Sequence, residues 1–529
     1  MAPTHRVAAL ALVLVALSWT GSAQAVQLFI GPPTGGHCEG LGGFWITSSS
    51  SCLLFFATIH ENDQLFIYSG STLQIAFSME NHGIIQNDGK IVGQGTIWNH
   101  GLVVSDEIFV NGYLINKQGE HFQVEAGGEC NGNPGSNIVN YGTFLNRGIM
   151  DLRVDGEAED SVLFNVGTLT NTGTIFGGST VTHPGALLYN QGKVDNVAGV
   201  IRNTTVENES LIIGGLIDDI DGASAFVTNH EGGTIDGAHI TKVSIDNSGT
   251  LDNHTLGSGT ITNRENALIR AVGGEAYLVY NDGVVDILDD FELFNNFYNN
   301  ASGVLVNRGA MLSHTRLVNH GLVDSRGPWV NEGDEPREGV IDNFGTFLNL
   351  SSVDNCIQSG DEQLNNFGTF SNGGFVTSCG STNQGLWYEC GQGGFPAGLP
   401  VIPSADADGD AVCAAVDCED HDALSWVVAT EVEELGIDAG DHVFNFNWSV
   451  PHYFGGSMAL YDLIGSPAAG DLLGQASCAA AGVAGTTLED PTPNLPDSVL
   501  YFLVRAAGCG GGNTGVDSEG VPRQTPGCS

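Results

Sequence analysis

Six aspartates in the stretch ADADGDAVCAAVDCEDHD carry the clearest chemistry in this chain of 529 residues. Asp406, Asp408 and Asp410 stand at alternate positions, Gly409 lets the chain bend, and Asp417 falls at position 12 if Asp406 is position 1. Alternate carboxylates followed by a delayed one can wrap a hard cation in oxygen ligands, so calcium is the expected cofactor. Asp420 and Asp422 would complete the shell. The pattern departs from an EF-hand, because the Gly stands at position 4 and not 6, position 12 is Asp in place of Glu, and no flanking helix is evident. The competing reading is a solvated acidic linker stapled by a Cys413–Cys418 disulfide.

Two further acidic groups, Asp218, Asp219 and Asp221, and Asp286, Asp289 and Asp290, are the candidates for acid and base work on a glycan. Glycoside hydrolysis needs two carboxylates across a cleft, and a lyase needs a basic residue to remove a proton. Neither group has a neighbouring Lys or an Arg-x-Lys pair. His82, His100 and His320 sit in Asn-His-Gly phrases, where a corner turns them to solvent. Ser351 and Ser518 lack the strand-to-helix context of a nucleophile elbow. No catalytic residue is assigned.

The elements that must position these residues come from a repeat. Asn140, Asn165 and Asn190 are spaced by 25, and the phrase Asn-x-Gly-Thr recurs at Asn140, Asn165, Asn343 and Asn366. Within a unit the phrase doubles after 6 positions, as at Asn140 and Asn146. Runs of three to five residues with apolar side chains at alternate positions read as short strands with one face toward a core. Gly is expected to supply positive φ at the bends, and Asn to tolerate it. One unit of this size cannot bury its apolar face alone, whereas stacked units do. The expected fold is all-β, a right-handed parallel β-helix over residues 62–390 after a cap at 26–61. Stacked Asn side chains would satisfy buried polar groups at the corners. A leucine-rich repeat has a similar period, but these Gly-rich units lack its Leu scaffold and helical return.

Composition agrees with that architecture: 75 Gly and only 15% charged residues favour turns and short strands. Residues 1–25 read as a removable export signal, with an apolar middle VAALALVLVAL and AQA before Val26. No later stretch approaches the roughly 20 apolar residues of a membrane span. A net charge of −45 opposes nucleic acid and anionic membrane faces, and favours cations. The 11 Cys suit an oxidising compartment; proximity suggests Cys38–Cys52, Cys356–Cys379 and Cys413–Cys418, with Cys478, Cys509 and Cys528 in the last segment.

After a Gly/Pro and Asp-rich link at 391–423, the runs HVFNFNWSV, MALYDLIGS and VLYFLVRAA predict a small antiparallel β-sandwich over 424–529, with Trp448 and Tyr461 in its core and Arg505 paired to a sheet-face carboxylate.

Three resemblances follow from these residues. The stretch from Asn62 to Gly380, with NDQLFIYSGSTLQI and NHGIIQNDGKIVGQGTIWNHGLV, resembles the β-helical segments of secreted bacterial adhesin-like proteins. Asp406 to Asp422 resembles the Asp-x-Asp-Gly-Asp calcium repeats of secreted bacterial and thrombospondin-like modules. The last hundred or so residues, through Arg505, Cys509, Gly515, Asp517, Ser518 and Arg523, are similar to a fibronectin type III-like terminal module of secreted bacterial proteins, a family that implies no catalysis. The expectation is therefore a secreted scaffold or adhesion protein of the cell surface, with polysaccharide or a surface partner along its sheets. The alternatives are a β-helical polysaccharide lyase or hydrolase, and a purely structural envelope protein.

Overall fold

The computed structural model describes residues 26–31, 37–110, 113–132, 136–152, 161–177, 186–219, 225–332, 339–355, 363–390, 401–404, 406, 411–417, 432, 435–439, 444–449, 451, 460–466, 477–490 and 501–507. From Gln27 to Pro403 the chain winds into a parallel β-solenoid of about 15 turns. One coil runs through Asn137–Asn140, Thr143–Asn146 and Ile149–Asp151, and the next begins at Val162–Asn165. Each strand pairs in parallel with its counterpart one coil on, Asn140 with Asn165, Asn146 with Asn171, and Asp151 with Phe176. Three long sheets result, named I, II and III in their order along a coil.

Alternation decides which side chains are inside. In Thr143–Asn146 the side chains of Phe144 and Asn146 are buried and those of Thr143 and Leu145 lie at the surface. Repeated coil after coil, this makes one continuous core, with Leu114, Ile138, Leu163, Leu188 and Val206 stacked at the same rung position. Burial is thus shared between coils, as the short strands require.

The coiling continues where the Asn-x-Gly phrase lapses. Leu211–Ile213, Leu216–Asp218 and Thr234–Asp236 keep register with their neighbours, and Leu268–Asn281 serves all three sheets as one long strand. Ile212, Ile217 and Ile235 still fill the core there. Apolar alternation, and not the phrase, is what each coil requires.

The corner between sheets I and II is built from two columns. The first is a ladder of sixteen asparagines from Asn81 to Asn383, each donating its side-chain N–H to the side-chain oxygen of the next at 2.7–2.9 Å. The second is a column of glycines. These do not adopt positive φ, contrary to the expectation from turn chemistry. A Cβ on Gly167 would lie 2.1 Å from the Gly142 carbonyl oxygen, and one on Gly345 equally close to that of Gly321. Glycine is needed at these corners because successive coils touch backbone to backbone. Asn62, Asn203 and Asn266 do take the left-handed conformation, as Asn tolerates.

At the N-terminal end, Gln27–Ile30 lies on sheet II against Gln64–Ile67, and Phe44–Ile46 runs antiparallel to the first strand of sheet III. The Cys38–Cys52 disulfide fastens this end as expected. Cys413 is a correction: it pairs with Cys390, not Cys418. The reason is that residues 411–417 fold back on the last coils. Val412 packs against Leu348, and the Cys413 N–H bonds to Ser371 Oγ at 3.2 Å. Cys379 and Cys478 are also disulfide-bonded; Cys356, the partner expected for Cys379, lies outside the described residues.

Beyond the link, two antiparallel three-stranded sheets form the sandwich. Phe444–Asn447 lies between Gly436–Ala439 and Thr487–Asp490, and Leu460–Ser466 between Ser477–Val483 and Tyr501–Ala507. Phe446 meets Phe502 at 4.8 Å and Trp448 meets Tyr461 at 5.5 Å, joining the sheets through one core. Arg505 donates to Asp462 Oδ2 from Nε at 3.0 Å and Nη2 at 2.8 Å, the carboxylate pairing expected of it.

Candidate functional site

Sheet I carries an outward column that is apolar over five consecutive rungs. Its residues occupy the position immediately before the ladder asparagine, so each side chain lies beside its counterpart in the next coil. Trp98, Ile115, Val139, Phe164 and Tyr189 follow one another on five consecutive rungs. At a strand spacing of about 4.8 Å the strip is roughly 20 Å long. Phe164 and Tyr189 stack at 5.2 Å and 6°, and Lys117 Nζ lies 4.4 Å from the Trp98 ring. Tyr113, at the other outward position of the same sheet, is 50% exposed. The strip ends at Glu207 on the sixth rung. Further along sheet I, Tyr280 stacks on Tyr298 at 5.2 Å. An elongated, weakly charged apolar strip bordered by Thr96, Asn137 and Tyr113 can contact an extended ligand along several units at once.

Corner residues form shorter stacks. His82 lies 4.7 Å from His100, and His320, Phe344 and Phe367 follow each other at 4.8 Å. His82 and His320 are exposed at these corners, as expected, and stack on their neighbours. Partial burial and the neighbouring His82 hold the His100 pKa below its ordinary value.

Three of the acids flagged in the sequence, Asp218, Asp286 and Asp290, serve coil-to-coil contacts. Asp218 Oδ2 accepts from Arg202 at 3.1 Å, and its Oδ1 accepts from Thr241 at 3.2 Å. Asp286 accepts from Arg308 at 2.8 Å and lies 3.7 Å from Arg270. Asp289 and Asp290 hold backbone N–H groups of Asp290 and Ala310. Asp219 is buried, and Asp221 lies outside the described residues. The basic partners missed by local reading are 16 and 22 residues away, close to one coil. Other pairs follow the same logic, Arg264 with Asp246, Arg270 with Asp252, and Arg316 with Asp342.

Of the six expected calcium ligands, Asp406 and Asp417 are described, while Asp408, Asp410, Asp420 and Asp422 lie outside the described residues. Asp406 Oδ2 accepts the Ala411 N–H at 3.2 Å. Asp417 closes the following turn through its N–H to the Cys413 carbonyl at 3.0 Å. Among the described residues no helix is long and apolar enough to cross a membrane. Comparison with protein-family models and with curated proteins finds no match for the chain.

Proposed function

We propose that the protein is a secreted scaffold of the cell surface or its surroundings that binds polysaccharide along sheet I. The observation that carries this reading is the five-rung strip from Trp98 to Tyr189, because a polymer can lie on it without any pocket. Support for a scaffold comes from the asparagine ladder, which links every coil from Asn81 to Asn383 by the same bond. Support for export comes from the apolar start before Val26 and from the disulfides. Calcium is proposed for the Asp406–Asp422 link, supported by the alternate aspartates and by the hydrogen bond of the Ala411 N–H to the Asp406 carboxylate.

The test is retention of residues 26–529 on a panel of insoluble plant, algal and bacterial polysaccharides, with new chain ends measured in the same samples. Retention that falls at least tenfold in a Phe164→Ala, Tyr189→Ala double variant supports the reading. Retention unchanged by that variant, or none on any polymer, rejects the strip. New chain ends that disappear on replacing Asp218 or Asp286 would make the protein an enzyme.

A further inference from the structure

The three sheets are not closed equally at the N-terminal end. Sheet II begins under Gln27–Ile30, and sheet III under Phe44–Ile46. Sheet I begins at Phe56–Ile59, which pairs with Ser78–Asn81 of the next coil and, among the described residues, with nothing on its other side. The Ile59 carbonyl accepts from the His82 N–H, so the Ala57 and Ile59 peptide groups face the next coil. Alternation along the strand then turns the N–H and C=O of Phe56 and Thr58 toward the open edge.

That edge lies in a cavity of about 580 Å³ whose walls include Leu28, Leu41, Phe56, Thr58, Asp63 and Glu80. Beside it an apolar patch is exposed: Phe44 is 63% accessible, Phe56 62% and Phe77 57%. Phe56 and Phe77 stack at 5.4 Å, and Phe44 meets Phe55 edge-on at 6.1 Å. An open strand next to exposed aromatics is a template for another strand.

We propose that the Phe56–Ile59 edge receives an extended segment of a partner protein, added as a further strand of sheet I, with apolar residues alternating with Lys or Arg. Backbone pairing with Phe56 and Thr58 gives the affinity, and the side chains decide the partner. Apolar residues meet Leu28 and Leu41, which pack against the core. Basic residues are selected by Glu80 at the cavity wall, beside Asp63, whose Oδ1 accepts the Val26 N–H at 3.0 Å, in a chain of net charge −45. The same charge sets a second copy of the chain at a disadvantage, since its own edge brings the same acids.

The probe is an eight-residue capped peptide alternating Val and Lys, measured by fluorescence anisotropy against residues 26–529. Its controls are the Val/Glu peptide and a Val/Lys peptide N-methylated at alternate amides. Thr58→Pro removes a donor facing the open edge at a place where a sheet tolerates proline. Binding of the Val/Lys peptide, weakened at least tenfold by Thr58→Pro, by Glu80→Lys and by N-methylation, is the expected result. Absence of binding, or binding indifferent to N-methylation and to Thr58→Pro, overturns the proposal, the second outcome reducing it to charge attraction. Concentration-dependent dimerisation lost in Thr58→Pro would also overturn it, by giving the edge to a second copy. Retention on polysaccharide through Phe164 and Tyr189 is unaffected by Thr58→Pro, so this test and that of the strip fail separately.

Discussion

The side-chain N–H of Asn140 donates to Asn165 Oδ1 at 2.7 Å and, one coil on, Asn165 donates in the same way to Asn190 at 2.8 Å. Each amide also reaches a backbone carbonyl of the neighbouring coil, Asn140 to Thr168 and Asn165 to Lys193, both at 3.1 Å. All three asparagines are 0% exposed, so water cannot replace a lost partner. Asn165→Ala strands one side-chain N–H of Asn140, at about 1–3 kcal/mol, and leaves Asn190 Oδ1 with the Gly192 N–H alone. A solenoid opens locally, so the readout is hydrogen exchange. Protection of the coils around residues 137–195 is expected to fall by roughly a hundredfold, with distant coils unchanged. Unchanged protection would mean that the ladder is an ornament of the stacking and not a support.

The glycine column makes a separate prediction, because two kinds of glycine can be compared. Gly232 has φ +79° with open space where a Cβ would go, whereas the Gly167 Cβ would meet the Gly142 carbonyl oxygen at 2.1 Å. Gly232→Ala should cost about 1 kcal/mol, the ordinary penalty of the left-handed region. Gly167→Ala forces two coils apart and should cost roughly 3 kcal/mol. Exchange protection of the flanking coils ranks the two variants. Equal costs would restore the turn-conformation explanation for the corner glycines.

The solenoid was legible because its two causes, alternation and corner chemistry, are local and repeated. Thr143–Asn146 already shows which residues face the core. The ladder was legible for the same reason. Contacts set by the coil period were harder to read. Asp218 looks unaccompanied until Arg202, 16 residues earlier, is brought beside it, and the strip from Trp98 to Tyr189 appears only when the position before each ladder Asn is read down the stack. Cys413 was misread because closeness in sequence favoured Cys418, while folding back of Val412 onto Leu348 brought Cys390 into reach. The edge at Phe56, unpaired among the described residues, has no sequence signal at all, since it depends on where Gln27–Ile30 and Phe44–Ile46 do and do not pair.

His254 gives a pH prediction. It fills a buried position with Nδ1 2.9 Å from the Ala238 carbonyl and Nε2 2.7 Å from that of Ile235. Burial holds its pKa below the ordinary value of 6.5, outweighing those carbonyls and the charges of Asp252 and Asp236. The folded protein therefore binds fewer protons at this site than the unfolded chain below pH 6.5. The stabilisation is complete above pH 6.5 and is lost as the pH falls from there through the lowered folded value. Thermal midpoints of the parent and of His254→Asn, compared between pH 8 and pH 5, should converge on acidification if the asparagine is accepted. A constant difference across that range would show that the imidazole does not titrate during unfolding.

The Asp-rich link supplies the last prediction, in which cation and disulfide act on one segment. Cys390–Cys413 ties residues 411–417 to the final coil, and Asp406 and Asp417 lie on either side of that anchor. A loop held at one point loses less entropy when carboxylates gather around a cation, so calcium and the disulfide should reinforce each other. Adding calcium to the oxidised protein is expected to slow proteolysis between residues 391 and 423 by tenfold or more, and to raise the unfolding midpoint. Asp408→Ala with Asp410→Ala should abolish both effects. Cys413→Ser should weaken the calcium dependence without removing it, and should by itself cost about 2–4 kcal/mol through release of the closed loop. If calcium protects the Asp408→Ala, Asp410→Ala protein as well as the parent, the cation acts by screening the net charge of −45 and not by occupying the loop.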